Sequence, residues 1–303
     1  METLKPYRTP FRAWEERRWS REVLRLPDPD PTLSFASSTY TLLDKLPAVQ
    51  AAPEQVRREL QAYEAAMNPE ATEQLEGGSV DVGIRMLVSN QFDLDPELRA
   101  DATKLDLDER WHENAARALK AWIYRHAKIE RLIYTSSFEI FVKETLRDPS
   151  AEVSDAKQFL ATTVTETLIS SFMSDLPRDP SVQEAVRIFA AGHAKDESVH
   201  SAYLRMAATQ CLTKWPPGLA RLALLSVPEI VEAFMSPDLN GLEAALKQYP
   251  RVFPAPKAIL HGVAMPSPES MKAAARPLLV TLRSLDVFKD DDVATAFRNA
   301  GLL

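Results

Sequence analysis

Apolar positions along this chain recur at helical spacing. After Pro53, the residues Val56, Leu60, Tyr63 and Met67 fall on one stripe of a helix. Asn68-Pro69 offers a cap followed by a proline suited to a first helical position, so a helix restart is expected there. The restarted stretch carries Glu70, Glu73 and Glu76, then Val80, Ile84 and Leu87, and Gly77-Gly78 argues against one straight rod. Asp95-Pro96 opens another helix, expected to run past Glu109 and His112 to Lys120 or beyond. A strongly helical stretch covers about 115–146, with Pro149 just after it. Two more helices are expected over about 153–173 and 181–212, separated by the Pro177–Pro180 turn and stopped by Pro216-Pro217. Shorter patches follow near 218–225, 228–235, 240–248 and 268–286. Alternating strand patterns are almost absent, and no repeat of fixed period is visible.

The first fifty residues read differently. In Pro27-Asp28-Pro29-Asp30-Pro31 each proline fixes φ and removes a backbone donor, which enforces extended or turn structure. The expected organisation is an irregular N-terminal arm over 1–50 packed on a single all-α domain over 51–303.

Composition narrows the function. With 303 residues, 45% of them hydrophobic, the chain can bury a sizeable core. A net charge of -7 without any Lys/Arg-rich block argues against nucleic-acid binding, which needs a basic surface. Eight glycines against 22 prolines fit helices separated by breaks. Cys211 is the sole cysteine, so no internal disulfide and no C-x-x-C metal pattern exist. The polar, mixed-charge segment Met1 to Arg18 lacks the apolar stretch of a signal peptide, and no apolar run approaches a bilayer span. A cytoplasmic location in a reducing compartment is the expectation.

The chemistry sits in two short strings. Asp108-Glu109-Arg110-Trp111-His112 and Asp196-Glu197-Ser198-Val199-His200 both read D-E-x-x-H. Glu and His three apart lie one turn apart on one helix face. His193 extends the second string to a stripe of His193, Glu197 and His200. The plain alternative, a solvated polar face, fits one such string better than two. Buried without a cation, these groups would be costly. Di-iron carboxylate bundles use Glu-x-x-His from two helices and a single Glu from each of two others. Glu166, in an apolar helix, is one candidate for a single Glu, and Glu73 or Glu76 the other. Four glutamates would balance two Fe(II) ions, and mixed imidazole and carboxylate donors suit iron, or manganese in its place. Asp108 and Asp196 are placed to accept the outer N–H of histidine ligands. Glu139 is a rival buried carboxylate, read instead as a helix-surface residue or one standing behind the ligands. His126 and His261 lack ligand spacing, and Cys211 reads as a small buried apolar residue.

Residues Arg178 to Gln183, followed by His193-Ala-Lys-Asp-Glu197-Ser-Val-His200, resemble the p-aminobenzoate N-oxygenase family. The resemblance covers about residues 60–210 and extends to Glu109/His112 and to the spacing of Glu166 from His193. It implies a ferritin-like four-helix-bundle core with additional helices, two iron ions per chain, and oxidation of an arylamine toward a nitro compound. Ala71-Thr-Glu73-Gln-Leu75 resembles the segment holding the first ligand, so the resemblance favours Glu73 over Glu76. The implied ligand set is Glu73, Glu109, His112, Glu166, His193, Glu197 and His200.

The expected function is therefore an O2-activating di-iron monooxygenase that N-oxygenates an amine in secondary metabolism, the amine being an arylamine or derived from an amino acid, free or carrier-tethered. An electron donor such as ferredoxin with its reductase and a homodimeric state are further expectations. Arg283 and Arg298 are candidates to hold a substrate carboxylate. The competing readings are a di-iron C-hydroxylase or desaturase, and a ferritin-like storage or structural bundle.

Overall fold

The structure is a computed structural model that describes residues 7–12, 14–17, 24–172 and 175–303. Its helices of eight residues or more are α1 (Glu54–Glu76), α2 (Ser79–Val88), α3 (Pro96–Ala127), α4 (Ser137–Thr145), α5 (Ala151–Phe172), α6 (Glu184–Lys214), α7 (Pro217–Met235), α8 (Leu239–Leu246), α9 (Arg276–Ser284) and α10 (Asp291–Asn299). Among the described residues no strand forms, and the one isolated bridge joins Ser34 to Val182.

Four helical columns close into a ring. Helix α3 packs on α1 and α2, α6 packs on α3 and α5, and α2 completes the circuit against α5. Small residues set the α1–α3 approach, where Ala62, Ala65 and Ala66 meet Ala115, Ala116 and Leu119 in one buried cluster. Gly83 does the same for α2 on α5, since a Cβ there would lie 2.1 Å from Thr162 Oγ1. Helix α7 covers the outer side of α5.

The first column breaks later than its prolines predict. Helix α1 runs through Pro69, and the interruption comes at Gly77-Gly78. Gly78 has φ -125° and ψ -106°, and a Cβ on it would stand 2.3 Å from the Gln74 carbonyl oxygen. Glu139 secures the restart by accepting from Ser79 N (3.3 Å) and Ser79 Oγ (2.6 Å) at the first turn of α2. The orphan donors of a helix N-terminus thus explain this buried carboxylate.

Other boundaries also moved. The stretch expected to be helical over 115–146 divides, because α3 ends at Lys128 in the left-handed region (φ 56°) and α4 begins only after the Ser136 cap. The patches at 218–225 and 228–235 are one helix, α7, with Pro228 inside it. The patch at 268–286 is two helices, Pro268–Ala274 and α9.

Helix α5 carries four threonines in the core. Thr162, Thr163, Thr165 and Thr167 return their hydroxyls to carbonyls of the preceding turn at 2.7–3.2 Å, so none is left unpaired. The arm is tied across the bundle end. Gln183 accepts from Asp30 N and donates to the carbonyls of Asp30 and Leu33, and Trp122 Nε1 donates to the Pro27 carbonyl at 3.0 Å. No helix among the described residues is long and apolar enough to cross a membrane.

Candidate metal centre

The last residue of α1, one turn of α3, the inner end of α5 and the middle of α6 converge inside the ring. Glu76, Glu109, His112, Glu166, His193, Glu197 and His200 are 0–3% exposed. Seven polar side chains at that burial demand compensation.

Two groups of facing ligand atoms result. Glu76, His112, His193 and Glu197 form one, and Glu109, His112, Glu197 and His200 the other, the atoms of each lying within 4.8 Å of one another. Glu197 stands between them, its Oε1 at 3.2 Å from His112 Nδ1, 3.1 Å from His193 Nε2 and 3.3 Å from His200 Nδ1. Glu76 Oε1 is 2.9 Å from His193 Nε2 and 3.7 Å from His112 Nδ1. On the other side Glu109 Oε1 is 2.7 Å and Glu166 Oε2 3.8 Å from His200 Nδ1.

Each aspartate of the two strings serves the histidine of the other. His112 Nε2 lies 3.4 Å from Asp196 Oδ2, and His200 Nε2 lies 3.5 Å from Asp108 Oδ2. Both rings therefore turn Nδ1 inward, while His193 turns Nε2 inward.

Glu73 lies outside this cluster, contrary to the assignment favoured by resemblance. Its carboxylate pairs with Lys120 and, at 3.3 Å, with Arg117. Burial opposes its ionisation, but the two cations hold it below the usual carboxylate range. Glu76, one turn further on, takes the place inside. The missing information was Lys120, a 2% exposed lysine held by Glu70 and Glu73, which sequence alone does not connect to α1.

The carboxylates and imidazoles of the cluster shift one another strongly. Burial pushes Glu76 up to about 7 against the pull of His193. Burial, with the charges of Glu109 and Glu197, pushes Glu166 well above the carboxylate range. Burial opposes Glu197 too, but His200, His112 and His193 hold it well below that range. The carboxylates in turn overcome burial and raise His112 and His200 well above an ordinary histidine. The inward-facing ring nitrogens are the atoms that would bind a metal, and metal uptake by such ligands releases the protons they carry.

The donor set fits a pair of metal ions. Both Glu76 oxygens, both Glu197 oxygens, Glu109 Oε1, Glu166 Oε2, His193 Nε2 and His200 Nδ1 are buried with no hydrogen-bond partner. Orphaned atoms converging this way are rare unless something else satisfies them. Four carboxylates against two divalent cations leave no net charge, and the mixed oxygen and nitrogen donors suit iron.

The rest of the expected residues lie elsewhere. Arg283 and Arg298 sit on α9 and α10 and, among the described residues, form no ion pair with the cluster. Cys211 is buried in the apolar core, as its reading as a small apolar residue requires. A cleft of about 790 Å³ opens beside the helix break, lined in part by Glu73, Gly77, Gly78, Glu113 and Glu139. Trp14 was not foreseen: from the arm, its Nε1 donates to Asp108 Oδ2 at 2.8 Å.

The family profile of P-aminobenzoate N-oxygenase AurF matches residues 7–285. The chain belongs to that family, which makes it a di-iron N-oxygenase, an oxidoreductase of the monooxygenase class with an all-α ferritin-like fold. No curated protein matched the chain.

Proposed function

We propose that this protein N-oxygenates an amine with O2, holding two iron ions through Glu76, Glu109, His112, Glu166, His193, Glu197 and His200. The observation that carries the reading is the convergence of orphaned, fully buried carboxylate and imidazole atoms in two overlapping groups. When bound, the metal pair supplies activation of O2, with one oxygen atom transferred to nitrogen and the other released as water using two electrons from a donor.

The side chains have separable tasks. Glu197, which belongs to both groups, would serve both metal ions. Glu76 and His193 would hold one metal ion and Glu109 and His200 the other, with Glu166 beside His200 and His112 facing both groups. Asp108 and Asp196 orient the rings of His200 and His112. The threonines of α5 return their hydroxyls to carbonyls of their own helix and so add no unsatisfied donor to the core.

An arylamine is the substrate class that family membership supports, with hydroxylamine, nitroso or nitro compounds as products. The test is a panel of arylamines and amino-acid-derived amines supplied with iron-loaded protein, a reductant and 18O2. Mass spectrometry should find label on nitrogen. Label only on carbon would favour the C-hydroxylase reading, and many irons per assembly would favour storage. The electron donor is expected to be a ferredoxin with its reductase, and the assembly a homodimer.

A further inference from the structure

We propose that Trp14 is a positioning residue of the metal centre, delivered to it by the N-terminal arm. The inference rests on the reading that the buried cluster holds metal. Trp14 Nε1 donates to Asp108 Oδ2 at 2.8 Å, and the same oxygen lies 3.5 Å from His200 Nε2. His200 Nδ1 in turn faces Glu109, Glu166 and Glu197. An unbroken path thus runs from the arm to one half of the cluster and ends on an imidazole.

Chemistry gives the indole a definite effect. It is a donor without an acceptor, so it leaves the Asp108 carboxylate as the acceptor facing His200. Sharing one oxygen between the indole and the imidazole fixes that carboxylate and moderates its pull on the His200 N–H. Partners of this kind set ligand orientation and basicity. Asp108 is 2% exposed, so water has little access to replace the indole.

The arm is spaced to make this contact. Tyr7, Phe11 and Trp14 follow one another at intervals that meet α3 twice, for Tyr7 Oη donates to Asp101 Oδ2 at 2.6 Å and Trp14 reaches Asp108. Asp101 and Asp108 are seven residues, or two turns, apart and share a side of α3. Between them Phe11 is 4% exposed, its ring centroid 5.6 Å from that of Tyr203 and 6.1 Å from that of His200. By linkage, whatever affinity Trp14 adds to metal binding, bound metal returns to arm docking.

The experiment is anaerobic Fe(II) titration of the full chain with Mössbauer spectra of the loaded proteins. It compares wild type, Trp14→Phe, Tyr7→Phe, and a chain with 3-benzothienylalanine at position 14, which keeps the ring shape but lacks the N–H. Tyr7→Phe removes an arm bond without touching Asp108, and circular dichroism verifies folding. The expectation is about a tenfold loss of affinity at one iron position, and a changed spectrum for that iron, in both position-14 variants. Tyr7→Phe should stay within about twofold of wild type on the same scale. Position-14 variants that match a two-iron wild type overturn the inference alone, as does a Tyr7→Phe loss equal to that of Trp14→Phe. A wild-type chain that takes up no iron overturns the ligand reading and this inference together.

Discussion

Replacing Glu76 by glutamine, beside the same change at Glu73, separates two carboxylates one helical turn apart. Glu76 has both oxygens buried without a hydrogen-bond partner and faces His193 at 2.9 Å. With the metals bound, Glu76→Gln would leave four positive charges against three carboxylates in a site closed to water. An uncompensated buried charge costs about 3–5 kcal/mol. At 1.4 kcal/mol per factor of ten, that is a loss of roughly 10²- to 4 × 10³-fold in affinity for one metal. In the metal-free protein burial pushes Glu76 up to about 7, but the same carboxylate faces His193 at 2.9 Å, so removing its charge has two opposed effects on stability. Glu76→Gln should therefore weaken metal uptake far more than it changes the Tm of the metal-free chain. Glu73→Gln removes one partner from Lys120 and Arg117, but Lys120 keeps Glu70 and Arg117 keeps Glu113, each at 2.6 Å. Lys120 is buried but keeps one carboxylate, so the expected loss of stability is about 1.5–3 kcal/mol, with no effect on metal stoichiometry. Iron titration and calorimetry of the three metal-free proteins measure both quantities. Glu76→Gln that still binds two irons at wild-type affinity, or Glu73→Gln that loses one, would refute the reasoning.

Three other outcomes follow from the same structure. Glu64 is buried, accepts from Leu42 N and Leu43 N, and is pushed by burial from 4.5 up to about 7. The folded state therefore holds this proton more tightly than the unfolded one, and stability is fully present below pH 4.5 and falls as pH rises toward 7. Denaturant titrations of wild type and Glu64→Gln across that range should differ in slope, by up to about 3 kcal/mol in total; parallel curves would contradict the assignment. His193→Ala should keep the helical circular dichroism of wild type and lose tight binding of one metal, and full two-metal uptake would remove His193 from the ligand set. Gly83→Ala places a methyl 2.7 Å from Thr162 Cβ as well as on its hydroxyl, so the α2–α5 contact must shift. The expected cost is about 1–3 kcal/mol, read as a lower Tm, and an unchanged Tm would mean the crossing is looser than it looks.

The legible part of the chain was its local periodicity. The D-E-x-x-H strings and the His193 stripe stand at fixed intervals within single helices, so backbone geometry alone brings their side chains to one face. Glu166 was legible because a carboxylate among apolar neighbours needs a partner. Glu76 was legible only as one of two options, since Glu73 and Glu76 differ in which one meets Lys120, and that is a contact between helices. The proline signals misled in two places for a related reason. Pro69 and Pro228 sit inside helices whose packing on neighbours outweighs one missing backbone bond. Gly78 broke the first column because no side chain fits against the Gln74 carbonyl there. Trp14 had no local signal at all, because its partner Asp108 is 94 residues away.

N-oxygenation at this site depends on the cluster taking up two metal ions. Anaerobic titration of the full chain with Fe(II), followed by metal analysis of the desalted protein and Mössbauer spectroscopy after O2, tests that most directly. Two irons per chain that couple magnetically on oxidation are predicted. A chain that binds no iron tightly, or whose irons remain magnetically isolated, would contradict it.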